Sequence, residues 1–220
     1  MPPRPATPAP RPRRAAATPG RPKDLGKGNA ILEAARKLFT AQGFDAASMD
    51  QIAAAAGVSK LTVYSHFGDK EALFAAVVKS YCEQQLPAAL FEAQPGVPLR
   101  ERLLQVARAF FGMISAPEAL AGHRILCSPR MAASPLPRMF WEAGPERVQA
   151  GFAELLRRRV AMGELEIDDV PRASAQFFTL LKGEPHARMV FGCCEGMARR
   201  DAERHVEATV DMFLRAYGRR

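Results

Sequence analysis

The stretch Ser48-Met-Asp-Gln-Ile-Ala-Ala-Ala-Ala-Gly-Val-Ser-Lys-Leu-Thr-Val-Tyr-Ser-His-Phe-Gly-Asp-Lys70 constrains this chain more than any other, because it encodes two short helices around a tight turn. Ser48 precedes Gln51 by three residues, the spacing of a reciprocal capping box. Met49, Ile52, Ala53 and Ala56 then recur at three- and four-residue intervals, which makes one face of the first helix apolar. Gly57 supplies the positive φ of a sharp turn, Val58 plugs the space between the helices, and Ser59 caps the second helix, predicted over about 60–67. Val63 and Phe67, four apart, face inward, while Lys60, Thr62, Ser65 and His66 face outward with Tyr64 at the boundary. A short helix presenting hydrogen-bonding side chains suits the major groove of double-stranded DNA, where base edges offer donors and acceptors. Asp69 is placed to cap a further helix, with Lys70 in its first turn and within reach of a phosphate.

Charge supports a DNA reading less than it first suggests. The chain of 220 residues carries a formal net charge of +8. The first 28 residues hold seven basic side chains against Asp24 alone, a net +6 that leaves +2 for everything after them. The helix-turn-helix, and not overall basicity, therefore carries the argument. Residues 1–24 form a Pro/Ala/Arg-rich tail expected to be disordered, either a solubilising terminus or an arm that follows phosphates. Arg13-Arg14 leads into Ala-Ala-Ala-Thr-Pro-Gly without the apolar segment that secretion requires,. No apolar run has the length of a membrane span. These features predict a soluble, cytoplasmic protein with no membrane association.

Other chemistries find little footing. Cys82, Cys127, Cys193 and Cys194 stand at no zinc-ligand spacing, and small buried hydrophobes are their default role. The adjacent pair Cys193-Cys194 also admits a redox role, for which a thiol needs an exposed, electropositive setting. There is no nucleophile elbow, Gly-rich phosphate loop or metal-ligand cluster, so neither catalysis, a metal nor a cofactor is implied.

Beyond Tyr81 the pattern stays helical. One helix starts near Pro98 with Leu103, Ala107, Phe110, Phe111 and Ile114 on its apolar face, and Pro117 opens another through about Leu126. A longer segment is predicted from about 135 to 162, ended by Gly163. Pro171 begins a helix holding Phe177, Phe178 and Leu181 that Gly183 and Pro185 bend or interrupt. The last helix, from about Arg200, aligns Val206, Val210, Phe213, Leu214 and Tyr217.

Residues 27–81 resemble the DNA-binding domain of the TetR family of bacterial transcriptional regulators. The resemblance lies in Ile31-Leu-Glu-Ala-Ala-Arg-Lys-Leu-Phe39, the turn Gly43-Phe44, the segment from Ile52-Ala to Tyr64-Ser-His-Phe67, and Lys70-Glu-Ala-Leu-Phe74. It implies DNA contacts from Ser48 or its neighbours and from Ser59, Lys60, Thr62, Tyr64, Ser65 and Lys70, to which the outward His66 is added. Capping and phosphate contact are compatible for Ser48 and Ser59, Tyr64 suits either packing or a phosphate, and Lys70 is otherwise a solvated charge. Leu61 departs from the small residue common at its position.

The C-terminal half is similar to the corresponding domain of AefR-like members, in Phe140-Trp-Glu-Ala-Gly-Pro145, Gly163-Glu-Leu-Glu-Ile-Asp-Asp169, Ala175-Gln-Phe-Phe-Thr-Leu-Leu-Lys-Gly183 and Val210-Asp-Met-Phe-Leu-Arg-Ala-Tyr-Gly218. Residues 124–137 depart from it, being rich in Pro, Ser and Ala. The resemblance implies an all-α protein: an N-terminal three-helix helix-turn-helix domain over 25–81, then a helical effector-binding and dimerisation domain over 82–220. It further implies a homodimer on a palindromic operator, usually a repressor released by a small-molecule effector; the alternative is a ligand-independent, architectural DNA binder. Phe110, Met113, Arg124, Trp141, Phe177 and Met189 are candidate lining residues of the effector cavity, with His123 a further orienting group, although aromatics at helical spacing serve equally as core.

Overall fold

The architecture follows from two apolar cores that share one helix. The structure, a computed structural model, describes residues 25–92 and 96–219, so the basic tail lies outside the described residues. The fold is all-α: among the described residues the strand-like pairing is an isolated bridge between Leu165 and Gly218.

The first core begins on α1 (Leu25–Ala46), whose Ile31, Ala35 and Phe39 recur every four residues along one buried stripe,. Gly43, at φ 83, breaks α1 before its end and turns Phe44 back against Phe39, with ring centroids 5.5 Å apart. Helices α2 (Met49–Ala55) and α3 (Lys60–Phe67) add Ile52, Ala53 and Val63, and α4 (Lys70–Gln85) closes this core with Leu73 and Val77.

The second core is built by α5 (Leu99–Ser115), α8 (Pro145–Ala161), α9 (Val170–Val190) and α10 (Arg199–Tyr217). Its centre is aromatic: Phe152 stacks on Phe177 at 4.5 Å, and Phe178 meets Phe110 at 4.5 Å,. Helices α6 (Pro117–Leu126) and α7 (Leu136–Ala143) lie between this core and the first. Tyr81 and Cys82, from the last turns of α4, pack on the second core. The expected boundary between residues 81 and 82 thus falls inside a continuous helix.

Two helix expectations are corrected or sharpened. The segment over 135–162 is two helices, because Gly144 leaves helical geometry at φ −118, ψ −84 and Pro145 starts α8 afresh,. Glycine fits there because a Cβ would lie 3.0 Å from Val78 Cγ1 and 3.2 Å from Cys82 Sγ, both on α4. The anticipated interruption of α9 sits at Gly183, with φ 46 and ψ −158.

Candidate DNA-reading face and the cavity behind it

Local chemistry sets the geometry of α2 and α3. Ser48 Oγ accepts from the Gln51 amide at 3.2 Å, and the Gln51 side chain accepts from the Ser48 amide at 2.9 Å,. Gly57 makes the turn at φ 66, with open space around it. Ser59 Oγ accepts from the Thr62 amide at 3.2 Å and lies 2.8 Å from Thr62 Oγ1, so one hydroxyl both caps α3 and orients the next polar side chain,. With Val63 fully buried, the opposite face of α3 carries Lys60, Leu61, Tyr64 and Ser65 into solvent, and Thr62 is half-buried. Leu61 is 79% exposed and Tyr64 42%, which puts a large apolar group and a phenol on the same surface as the hydroxyls. Lys60 pairs with Asp50 of α2 at 2.9 Å, and Ser65 Oγ donates to the Thr62 carbonyl at 2.9 Å. His66 is half-buried, its ring within contact distance of a Cβ placed on Gly28 of α1.

Lys70 differs from the expected solvent-facing cation. Its ammonium donates to the carbonyls of Phe44, Asp45 and Ala47 at 2.9, 3.4 and 3.0 Å, and sits 4.4 Å from the centroid of the Phe44 ring. Carbonyls at the end of a helix lack intrahelical donors and carry partial negative charge, so a lysine is well placed there. The residue expected at a phosphate is therefore a clip joining the start of α4 to the end of α1.

Behind this head lies an apolar cavity of about 180 Å³. Its wall draws Arg36 and Phe39 from α1, Phe74, Val78 and Tyr81 from α4, Phe110 and Met113 from α5, His123 from α6, Phe140 from α7, and Phe178 and Lys182 from α9. Of the candidates named from the sequence, Phe110, Met113 and His123 line this cavity. The other lining candidates are corrected. Phe177 is fully buried in the aromatic core and Met189 in the same core. Arg124 donates to the carbonyls of Val190 and Met189 at 2.8 and 2.6 Å, capping the end of α9,. Trp141 is 48% exposed: Phe140 takes the inward position on α7, and the next residue lies about 100° further round the helix,. Phe178 and Lys182 were not anticipated, although a lysine following Phe177, Phe178 and Leu181 on an apolar helix was a usable signal.

The polar groups of the cavity are held in unusual states. Burial, reinforced by His186 and Lys182, brings the His123 imidazole down to about 4,. Its ring meets Phe140 edge-on at 5.7 Å and His186 edge-on at 5.1 Å, and its buried Nδ1 has no hydrogen-bond partner among the described residues. Burial also lowers Lys182 from its ordinary value, raises Tyr81, whose hydroxyl donates to the Met113 carbonyl at 3.3 Å, and pushes the Cys82 thiol up to about 11. Among the described residues no three histidine, cysteine or acidic side chains are grouped to hold a metal, and no helix is long and apolar enough to cross a membrane.

A capped helix-turn-helix with a polar outer face, carried on a body of helices, defines a DNA-binding transcriptional regulator,. Residues 31–77 match the family model for bacterial regulatory proteins of the tetR family, and residues 101–219 match the model for the C-terminal domain of AefR-like transcriptional repressors. The chain belongs to the TetR family. Among its relatives, the regulator SrpR of Pseudomonas putida is 30% identical over 70% of each chain. The transcriptional activator FasR of Mycolicibacterium smegmatis is 36% identical over 93 residues, 42% of each chain, so this match spans about two fifths of that relative. The solved structure of the flavonoid-responsive regulator FrrA superposes with a TM-score of 0.69 at 35% identity, covering 90% of this chain and all of that one.

Proposed function

We propose that this protein is a homodimeric repressor that reads a palindromic operator through α3 and is released when a small aromatic molecule enters the cavity. The observation that carries the reading is the composition of the cavity wall. Helices α1 and α4 supply part of it, and the same two helices hold α2 and α3 through the first core. A molecule lodged against Phe39, Phe74 and Tyr81 bears on the scaffold of the head, so a conformer with a different head position gains or loses contacts with it. That difference in contacts is the free energy by which a ligand shifts DNA affinity.

On the operator, Tyr64, Ser48 and Ser59 donate to phosphates, Lys60 exchanges Asp50 for phosphate, and Thr62 and Ser65 meet base edges, with Leu61 against a thymine methyl. Dimerisation through α9 and α10 accounts for Leu180 and Met212, large apolar side chains left 39% and 49% exposed on those helices, and would set two reading helices about 34 Å apart,. The aromatic wall, and the name of the structural relative FrrA, support a planar aromatic effector,.

Selection of bound sites from a random duplex pool at near-physiological salt tests the reading. It is expected to return a palindrome, whose complex then serves in a release screen and in transcription assays that fix the sign of control. Retention of DNA without a shared sequence would overturn it in favour of an architectural binder, which discriminates far less than the ~10³-fold expected of a specific regulator.

A further inference from the structure

The ionisable side chains around the cavity fall into two groups by the partners they feel. In one, Glu118 lies in the electrostatic field of Arg36 and Tyr81, and Arg36 is already paired with Glu33 at 2.9 Å. In the other, His123 feels Lys182, with His186 edge-on to the His123 ring. Lys182 has neither a carboxylate nor a hydrogen-bond partner among the described residues, and no acidic residue of the wall other than Glu118 is there to supply one. A buried imidazole nitrogen without a hydrogen-bond partner, beside a half-buried cation without a counter-charge, is costly unless a polar group meets it,.

We propose that His123 and Lys182 form a subsite for the carboxylate of an aromatic acid, whose ring lies among Phe110, Phe140 and Phe178. This rests on reading the cavity as the effector site. A carboxylate accepts from the Lys182 ammonium and from a His123 N–H at once, and charge-assisted bonds in a largely apolar surround are the strong kind. The negative charge also relieves both depressed groups, because an anion beside them favours their protonated forms,. His186 faces the pair from α9 and, kept neutral by burial and by Lys182, adds no competing charge. Size limits the rest of the molecule: a cavity of about 150 Å³ holds benzene, so about 180 Å³ suits one ring with a short acid-bearing arm,.

The test is calorimetric titration of the full chain with 3-phenylpropanoate and with its methyl ester, which share a shape and differ in charge. The acid is expected to bind about tenfold tighter or more, and Lys182→Met and His123→Leu are each expected to bring the acid-to-ester ratio toward one, with thermal melts confirming that the variants fold. An ester that binds as well as the acid to the unsubstituted protein overturns the subsite and leaves the aromatic effector reading standing. A ratio unchanged in Lys182→Met overturns it too. Binding of neither form removes the subsite together with the small-aromatic reading of the cavity. The acid-to-ester comparison on the unsubstituted protein stands whether or not either variant folds.

Discussion

At the scale of single residues, the most instructive side chain is Lys70, because the same position permits two opposite expectations. With its ammonium given to three carbonyls at the end of α1, Lys70→Met is expected to cost about 2 kcal/mol of stability in denaturant unfolding,. It should leave the slope of log K against log salt unchanged, whereas losing a phosphate-contacting lysine lowers that slope by about one. A reduced slope at unchanged stability would return Lys70 to the DNA. Thr62 and Tyr64 separate differently. Thr62→Ala is expected to narrow the gap between operator and random DNA, and Tyr64→Phe to weaken both by a similar factor. Competition binding on the two DNAs checks both, and equal losses for Thr62→Ala would remove it from base readout. The caps at Ser48, Ser59 and Asp69 were legible in the sequence because each partner lies three residues away. The role of Lys70 was not, since its partners lie 23 to 26 residues upstream and no local pattern announces them.

Elements show the same division between near and far. Pro117 and the Asp169–Pro171 start mark helix beginnings by local stereochemistry, and α6 and α9 begin where those signals stand,. The break at Gly144 carried a signal as well, a glycine before a proline, but apolar residues recurring on both sides of it mimic one continuous stripe,. What fixes the corner is its packing on Val78 and Cys82 of α4, which no window along the chain displays. Gly144→Ala therefore presses a methyl group into α4. It is expected to cost about 1–3 kcal/mol in unfolding experiments, and to alter operator affinity although the residue belongs to the α7–α8 corner and not to the reading face. Unaltered affinity alongside lost stability would mean that α4 does not transmit to the head. The cavity was partly legible for the complementary reason: helical periodicity nominated Phe110 and Met113, but it marks Phe177 and Met189 as inward without saying whether they face the chamber or the core.

For the molecule as a whole, His123 in the cavity wall and His186 packed edge-on against it set an acid limit on stability. His123 is held at about 4 in the folded protein and His186 is lowered as well, so between about 4 and the ordinary 6.5 the unfolded chain binds more protons than the folded one,. The stability from burying these rings neutral is present above about pH 6.5 and is lost as the pH falls toward 4. Thermal melts from pH 7.5 to 4.5 are expected to show a falling midpoint, with a shallower fall in His123→Leu; equal slopes would mean that the imidazole titrates normally. Carboxylates held low by arginine partners, such as Glu203 beside Arg108 and Asp211 beside Arg100, lose their contribution only at lower pH, which separates the two effects,.

The helix that belongs to both cores limits how this protein can be taken apart. A chimera that joins the head at residue 81 to a foreign body would keep Leu73 and Val77 while replacing Cys82 and the surface that Tyr81 packs against. The graft would inherit a reading helix mounted on a shaft cut for another socket. Exchange of specificity between such regulators is then simplest within the outward face of α3, where Leu61, Thr62 and Ser65 can change without disturbing the join.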